Sequence, residues 1–351
     1  WTAETHKRVS LHYIAFFKSG YWEHVTCPHR KSKKSQNRRS RDELGLVSGK
    51  EKQTLCISCR LNRTIPDLSV PGNEELWRRI EHAKRRLISS LLAMGLPVFS
   101  RALEDPEHGL AFDLLHSLPS GPRVMTGHSN GLITLNIEEA DDATRERVRE
   151  EMHEPYRTLL GHLRHEIGHY YWDRLVKGAA WLNLFRELFG DEREDYAAAL
   201  QRYHSQGPRA DWMLRYVSAY ASAHPWEDWA ESWAHYLHIV DTTDTILSFG
   251  LDLEHAEIEV EPFTPEDLFR PGEPGAERFL DFINSWTRLS SVMNEVSRSM
   301  GFPDFYPFVL SSSVVAKLHL IHMVVAEASV NRETRGSIEE AWRADFSPRG
   351  T

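Results

Sequence analysis

The chain contains the segment HEIGH at residues 165–169, in which two histidines stand four residues apart. Residues i and i+4 share one face of an α-helix, so both imidazoles can bind one cation. Glu166 lies beside that face and can reach a water molecule on the metal, whose pKa zinc lowers toward ~7, and act as general base. The required helix is predicted by apolar residues at helical intervals around the motif: Leu159, Leu160, Leu163, Ile167 and Tyr170.

A second segment, PWEDWAESWAHY at residues 225–236, predicts the remainder of the site. Pro225 suits the first turn of a helix, and Glu227 and Glu231 then share one face. One carboxylate can complete a His2Glu zinc site that keeps a fourth position for water, and the other can accept a ring N–H from a ligand histidine. Three tryptophans in the segment indicate a buried helix, in which a carboxylate needs a partner such as a cation.

Other histidines near these segments are weaker candidates. His235 and His238 continue the second helix and could bind metal, although two carboxylates already suffice. We interpret His162, one turn before the HEIGH motif, as a packed or solvated residue. His224 could line the cleft.

The two motifs resemble a known family. HEIGHYYWDRLV (165–176) and SAYASAHPWEDWAESWAHYLHIVDT (218–242) are similar to the bacterial "putative zinc-binding metallopeptidase" family, and the resemblance extends over roughly residues 55–325. Members carry an N-terminal zinc ribbon and a gluzincin-type peptidase domain. The resemblance therefore implies a peptidase acting on protein or peptide substrates, with one catalytic Zn²⁺ and a second, structural one possible.

The E-x-x-A-E pattern also resembles the glutamate helix of anthrax lethal factor. That likeness implies that Glu227 is the third zinc ligand beside His165 and His169, and that Glu231 supports the site. It further implies an oxyanion-stabilising role for Tyr220, which stands seven residues before Glu227. The alternative for Tyr220 is a packing role.

The three cysteines lie in the N-terminal region and form no disulfide framework. Cys56 and Cys59 make a C-x-x-C pair, and Cys27 is a third possible ligand of a structural zinc. The family has a further cysteine that this chain lacks, so His24 or His29 would have to complete a Cys3His ribbon. A degenerate ribbon without zinc and a redox C-x-x-C pair remain alternatives.

We expect a helix-dominated α+β fold with a small twisted sheet. Residues 1–72 are predicted to form a zinc-ribbon-like region with few contacts to the rest, residues 73–330 the peptidase domain, and residues 331–351 a polar tail. Residues 131–137 read as a strand that could be the sheet edge for an extended substrate. Helices are expected from Asn73, over about 143–176 with a break near Pro155, over 178–204, from Pro225, and over 277–298 and 311–329.

Composition restricts the partners and the location. The formal net charge of −9 provides no global basic field for nucleic acid. We interpret the basic run 30–41 as a solvated loop, with a nucleic-acid or anionic-surface patch as the alternative. The sequence contains no run of 18 apolar residues, so we predict no membrane-spanning helix. The N-terminal residues show no signal-peptide pattern. The cytoplasm is therefore the default expectation, and the oligomeric state stays open.

Two functions are consistent with these motifs, and a third, a nucleic-acid-associated protein, would need a formed ribbon and a basic surface. The first is a zinc peptidase that uses Glu166 as base. The second is a non-catalytic zinc-binding module that recognises a partner protein on a peptidase fold. The presence of Glu166 favours the first, since a protein that only binds zinc needs the ligands and not the base.

Overall fold

The computed structural model describes residues 55–117, 124–151, 154–250 and 258–334. These residues form a helix-dominated α+β structure with one small sheet, as the sequence predicts. In chain order, the helices are α1 Asn73–Ala93, α2 Asp142–Glu151, α3 Leu159–Tyr171, α4 Trp181–Phe189, α5 Tyr196–Gln206, α6 Trp212–Arg215, α7 Pro225–Ser248, α8 Ala276–Ser299 and α9 Ser312–Thr334. The strands are β1 Asn62–Thr64, β2 Ala111–Leu115, β3 Gly127–Ser129 and β4 Leu132–Asn136. No helix in the described residues is both long and apolar enough to span a bilayer.

The sheet has the order β1-β2-β4-β3, with β1, β2 and β4 parallel and β3 antiparallel to β4. The predicted strand at residues 131–137 corresponds to β4, but its expected edge position is wrong, because β2 and β3 flank it. Asn130 and Gly131 have φ values of 48° and 79° and fold β3 back onto β4. An Asn-Gly pair favours this two-residue hairpin turn, because both positions need positive φ. The edge strand beside β4 is therefore β3, and β1 forms the opposite edge of the sheet.

The expectation that the region before residue 73 sits apart is wrong over residues 55–72. Strand β1 pairs with β2, and Leu61 is buried in the main hydrophobic core. The Arg63 guanidinium donates to Asp113 on β2 at 2.9 Å, and the side-chain amide of Asn62 donates to Glu81 on α1 at 2.7 Å. A three-residue strand is too short to show a periodicity, so this pairing leaves no sequence signal. The predicted polar tail lies outside the described residues from residue 335 onward.

Helices α3 and α7 pack closely at the centre of the molecule. They approach each other closely at Gly168, where a Cβ would lie 3.0 Å from Ala230 Cα and 3.1 Å from Trp233 Cβ. The indole N–H of Trp229 donates to the Gly168 carbonyl oxygen at 3.0 Å. Since glycine and alanine let two helix backbones come this close, side chains of α7 can reach those of α3 across a short gap.

Candidate metal centre

Two helices supply the polar side chains at the centre of the molecule. His165, Glu166 and His169 lie on α3, whose N-cap Thr158 accepts a hydrogen bond from the Gly161 N–H. Glu227 lies in the first turn of α7, which begins at Pro225. All four side chains are buried, although the chain separates the two groups by about sixty residues. Their burial together requires either mutual pairing or a bound cation.

Three of these side chains direct one atom each to a common point. The Nε2 atoms of His165 and His169 are 3.2 Å apart, and Glu227 Oε2 is 3.0 Å from the first and 3.6 Å from the second. Tetrahedral zinc with ligands at about 2.0–2.1 Å places ligand atoms roughly 3.3–3.4 Å from one another. Among the described residues, this is the one cluster of three or more possible ligands within mutual reach. Its spacing fits a zinc ion.

Unpaired polar atoms at the same place support this fit. Glu227 Oε2 and Glu166 Oε2 are buried and have no hydrogen-bond partner among the described residues, although Glu227 Oε2 lies within ion-pair distance of both imidazoles. Buried polar atoms without a partner are uncommon and costly, and often mark an ion or water site. Glu227 Oε2 is the atom that also lies nearest the two imidazoles, as a cation ligand would.

Glu231 orients one of the two imidazoles. Its Oε1 lies 2.7 Å from His165 Nδ1, and its Oε2 accepts a hydrogen bond of 2.6 Å from the Ser218 hydroxyl. This contact leaves Nε2 of His165 facing Glu227. Burial raises the pKa of Glu231, but the hydrogen bond and charge of His165 outweigh it and lower the pKa to about 2. The carboxylate therefore stays ionised and accepts the ring N–H.

The carboxylates also determine the protonation of the centre. Burial lowers the pKa of His165, yet the carboxylates of Glu227 and Glu231, which face its two ring nitrogens, hold that pKa well above the usual value. Burial likewise opposes ionisation of Glu227, but the nearby imidazoles hold the pKa of Glu227 well below the usual range. The cluster thus attracts a positive charge, and a metal ion would replace the proton.

Two tyrosines approach the centre from α5 and from the turn before α7. The Tyr196 hydroxyl donates to Glu227 Oε1 at 2.7 Å, and the Tyr220 ring centroid lies 6.0 Å from that of His165. Burial and the Glu227 charge raise the pKa of both phenols, which keeps them protonated as donors. Sequence reasoning singled out Tyr220 and missed Tyr196, because the first turn of α5 carries no metal-site motif.

His162 makes two contacts with carboxylates in the structure. The interpretation of His162 as a packed or solvated residue did not predict them. Its Nδ1 lies 2.5 Å from Glu139 Oε2, and its Nε2 lies 3.3 Å from Glu166 Oε1. The i, i+4 spacing of His162 and Glu166 was a usable sequence signal. No sequence signal indicated Glu139, because its position beside α3 depends on how the sheet packs against that helix.

The other candidate ligands lie away from the convergence point. His235 Nδ1 is 2.7 Å from the Tyr306 hydroxyl, and His238 Nδ1 is 2.7 Å from the Arg164 guanidinium. His224 caps α7 by accepting the Trp226 N–H at 3.0 Å. These contacts give the three histidines local structural partners.

The described residues do not support a second, structural zinc. The Cys59 backbone N–H lies 3.4 Å from Cys56 Sγ, but no third ligand in the described part of the chain joins the pair. The hydrogen bond from the Cys59 side chain lowers the pKa of Cys56 to about 6. His24, Cys27 and His29 lie outside the described residues.

Comparisons with known proteins agree with this centre. The model of a family described as "putative zinc-binding metallo-peptidase" matches residues 73–324, which include both α3 and α7. One protein of Mycobacterium bovis and two from strains of Mycobacterium tuberculosis, all described as uncharacterized, are each 46% identical over 290 residues. Each match covers 82% of this chain and 81% of the relative. No solved structure matches the chain.

Proposed function

The chain belongs to the family of putative zinc-binding metallo-peptidases, and from this membership we propose that it is a gluzincin-type zinc peptidase with Glu166 as general base. The observation that supports this proposal best is the convergence of His165 Nε2, His169 Nε2 and Glu227 Oε2 within 3.6 Å of one another. The carboxylate beside them, that of Glu166, has one buried oxygen without a hydrogen-bond partner among the described residues.

In this proposal, His165, His169 and Glu227 hold the zinc ion. When bound, zinc would supply a Lewis acid that lowers the pKa of water toward ~7 and polarises a carbonyl group. Glu231 keeps the His165 ring in place through the 2.7 Å contact with Nδ1. Tyr196 restrains the second oxygen of Glu227, which favours binding through Oε2 alone.

Glu166 moves the proton that hydrolysis requires. As the water oxygen bonds to the peptide carbonyl carbon, Glu166 accepts a proton from that water. As the carbon–nitrogen bond then breaks, Glu166 donates the proton to the leaving amine. Burial opposes ionisation of Glu166, but the His162 side-chain contact and the charges of the neighbouring imidazoles outweigh burial and lower the pKa of Glu166, so the carboxylate begins as the base.

The remaining groups bind substrate and stabilise charge. Tyr220 would donate a hydrogen bond to the carbonyl oxygen as negative charge develops there. An extended peptide would pair with β3, which among the described strands has a strand neighbour on one side only. His128 on β3 lies with its ring centroid 6.2 Å from that of His169, so this edge borders the centre.

The test compares wild type with Glu166→Gln. Zinc content is measured by mass spectrometry of the metal, and cleavage by mass spectrometry of a mixed peptide library. Glu166→Gln should retain zinc, because Glu166 is not a ligand, and lose turnover, because no base remains. Glu277→Gln, an exposed glutamate on α8, is the matched control and should behave as wild type. Full activity of Glu166→Gln would contradict the base, and a zinc-loaded wild type that cleaves no peptide would favour the non-catalytic module.

A further inference from the structure

His162 lies between two carboxylates from different parts of the fold. Its Nδ1 is 2.5 Å from Glu139 Oε2, and its Nε2 is 3.3 Å from Glu166 Oε1. His162 and Glu166 are one turn apart on α3, so the helix itself places the ring against the carboxylate. Glu139 comes from the 3-10 turn Ile137–Ala140, which follows β4.

The Nδ1 contact with Glu139 is a hydrogen bond, and the longer Nε2 contact with Glu166 is an ion-pair contact. A neutral imidazole has one N–H, whereas the imidazolium form has two and can donate to both carboxylates. Burial lowers the pKa of His162, but the charges and hydrogen bonds of Glu139 and Glu166 outweigh burial and raise the pKa to about 10. Burial raises the pKa of Glu139, but the charge and hydrogen bond of His162, together with the Thr126 hydrogen bond, outweigh burial and lower that pKa to about 2.

Glu139 is anchored to the sheet rather than to the helix that carries the centre. The Thr126 hydroxyl donates to Glu139 Oε1. The same hydroxyl oxygen accepts the backbone N–H of Asn136, the last residue of β4, at 3.2 Å. Three side chains therefore connect the backbone of β4 to Glu166: Thr126, Glu139 and His162.

The two oxygens of Glu166 have different surroundings. Oε1 faces His162, whereas Oε2 is buried and has no hydrogen-bond partner among the described residues. A carboxylate without such a contact can turn about its last bond and present either oxygen. Misplaced reacting groups lower the rate of a reaction, so a general base that is held in one orientation reacts faster than one that is not.

We propose that Glu139 and His162 are positioning residues that hold Glu166 Oε1, so that Glu166 Oε2 is the oxygen presented to the reacting water. This inference rests on the proposed peptidase function. In this inference His162, which lies outside the HEIGH motif, orients the base, and Glu139, in the turn after β4, orients His162.

The kinetic test uses two substitutions of His162 and a peptide that wild type cleaves in the library. His162→Phe keeps a planar ring and removes both donors, so kcat should fall roughly 10- to 100-fold with KM and zinc content unchanged. His162→Gln keeps one donor and should recover part of the loss. His319→Phe makes the same exchange at a buried histidine stacked on Phe279 of α8 and should leave kcat unchanged.

The substitution Glu139→Gln tests whether Glu139 acts through His162. Alone, it should lower kcat in the same direction as His162→Phe but by less, because the amide oxygen can still accept from the ring. In the His162→Phe background it should cause no further loss, because no ring N–H remains to orient. Independent, multiplying losses would show that Glu139 does not act through His162.

Crystal structures of the zinc-loaded variants give a readout that needs no turnover. In His162→Phe, the Glu166 carboxylate should leave its orientation or occupy several, and in His319→Phe it should keep that orientation. An unchanged Glu166 orientation and an unchanged kcat in His162→Phe, with Glu166→Gln inactive, would overturn this inference and leave the peptidase proposal standing. Full activity of Glu166→Gln would overturn both.

Discussion

The glycine of the HEIGH motif should contribute to zinc binding although it is not a ligand. A Cβ at Gly168 would lie 3.0 Å from Ala230 Cα and 3.1 Å from Trp233 Cβ, whereas carbon atoms pack at about 3.5–4.0 Å. Gly168→Ala therefore forces α3 and α7 apart by roughly 0.5 Å. Overpacking of this kind destabilises a protein by about 1–3 kcal/mol.

The same displacement acts on the metal centre, because Glu227 lies on α7 and the two histidines on α3. The distance from His165 Nε2 to Glu227 Oε2 is 3.0 Å, and that from His169 Nε2 is 3.6 Å. A shift of roughly 0.5 Å takes their average beyond the edge of about 3.3–3.4 Å that tetrahedral zinc allows. We expect zinc affinity to fall about 10- to 100-fold, the loss that a disturbed ligand orientation typically causes.

The assay measures zinc affinity by chelator competition and Tm by calorimetry with and without zinc. Gly168→Ala should lower Tm by roughly 2–10 °C, as expected for about 1–3 kcal/mol in a domain of this size. Gly272→Ala is the matched control, since a Cβ there meets no atom within 4 Å. Zinc affinity and Tm equal to those of the control would refute the argument that the Gly168–Ala230 approach positions Glu227.

Further predictions concern single residues of the centre. Tyr220→Phe should lower kcat by roughly 10²–10³ with unchanged zinc content, because it removes one donor to the developing oxyanion; unchanged kcat would assign Tyr220 a packing role. Glu231→Gln should weaken zinc binding about 10- to 100-fold and Glu227→Gln more strongly, as measured by chelator competition; the opposite order would reverse their roles. Removal of zinc by a chelator should lower the Tm of wild type and leave that of His169→Ala unchanged, because bound ligand stabilises the folded state only where its site exists.

Local patterns were enough to predict most of the centre. His165 and His169 share a face because four residues make about one helical turn, and Glu227 and Glu231 share one for the same reason. The structure brings three of these side chains together and places Glu231 on His165. The sequence also showed the Asn130-Gly131 pair. An Asn-Gly pair is typical of a two-residue hairpin turn, so it predicts a strand before β4, which is β3 in the structure.

The sequence by itself predicted most of the helices and a helix-dominated α+β fold, because these depend on periodicities within one segment. The single helix expected over 178–204 is wrong, since the structure has two helices there, Trp181–Phe189 and Tyr196–Gln206. Only the tertiary structure decided which groups meet across segments. Tyr196 reaches Glu227 from 31 residues away, and Glu139 reaches His162 from 23 residues away. Such contacts depend on how separate helices and strands pack against one another. The periodicity within one segment does not predict which side chains of another segment it will contact. Gly168 belongs to a sequence motif and also to a contact between two helices. Because glycine has no side chain, α7 can pack close enough to α3 to bring Glu227 within reach of the two histidines.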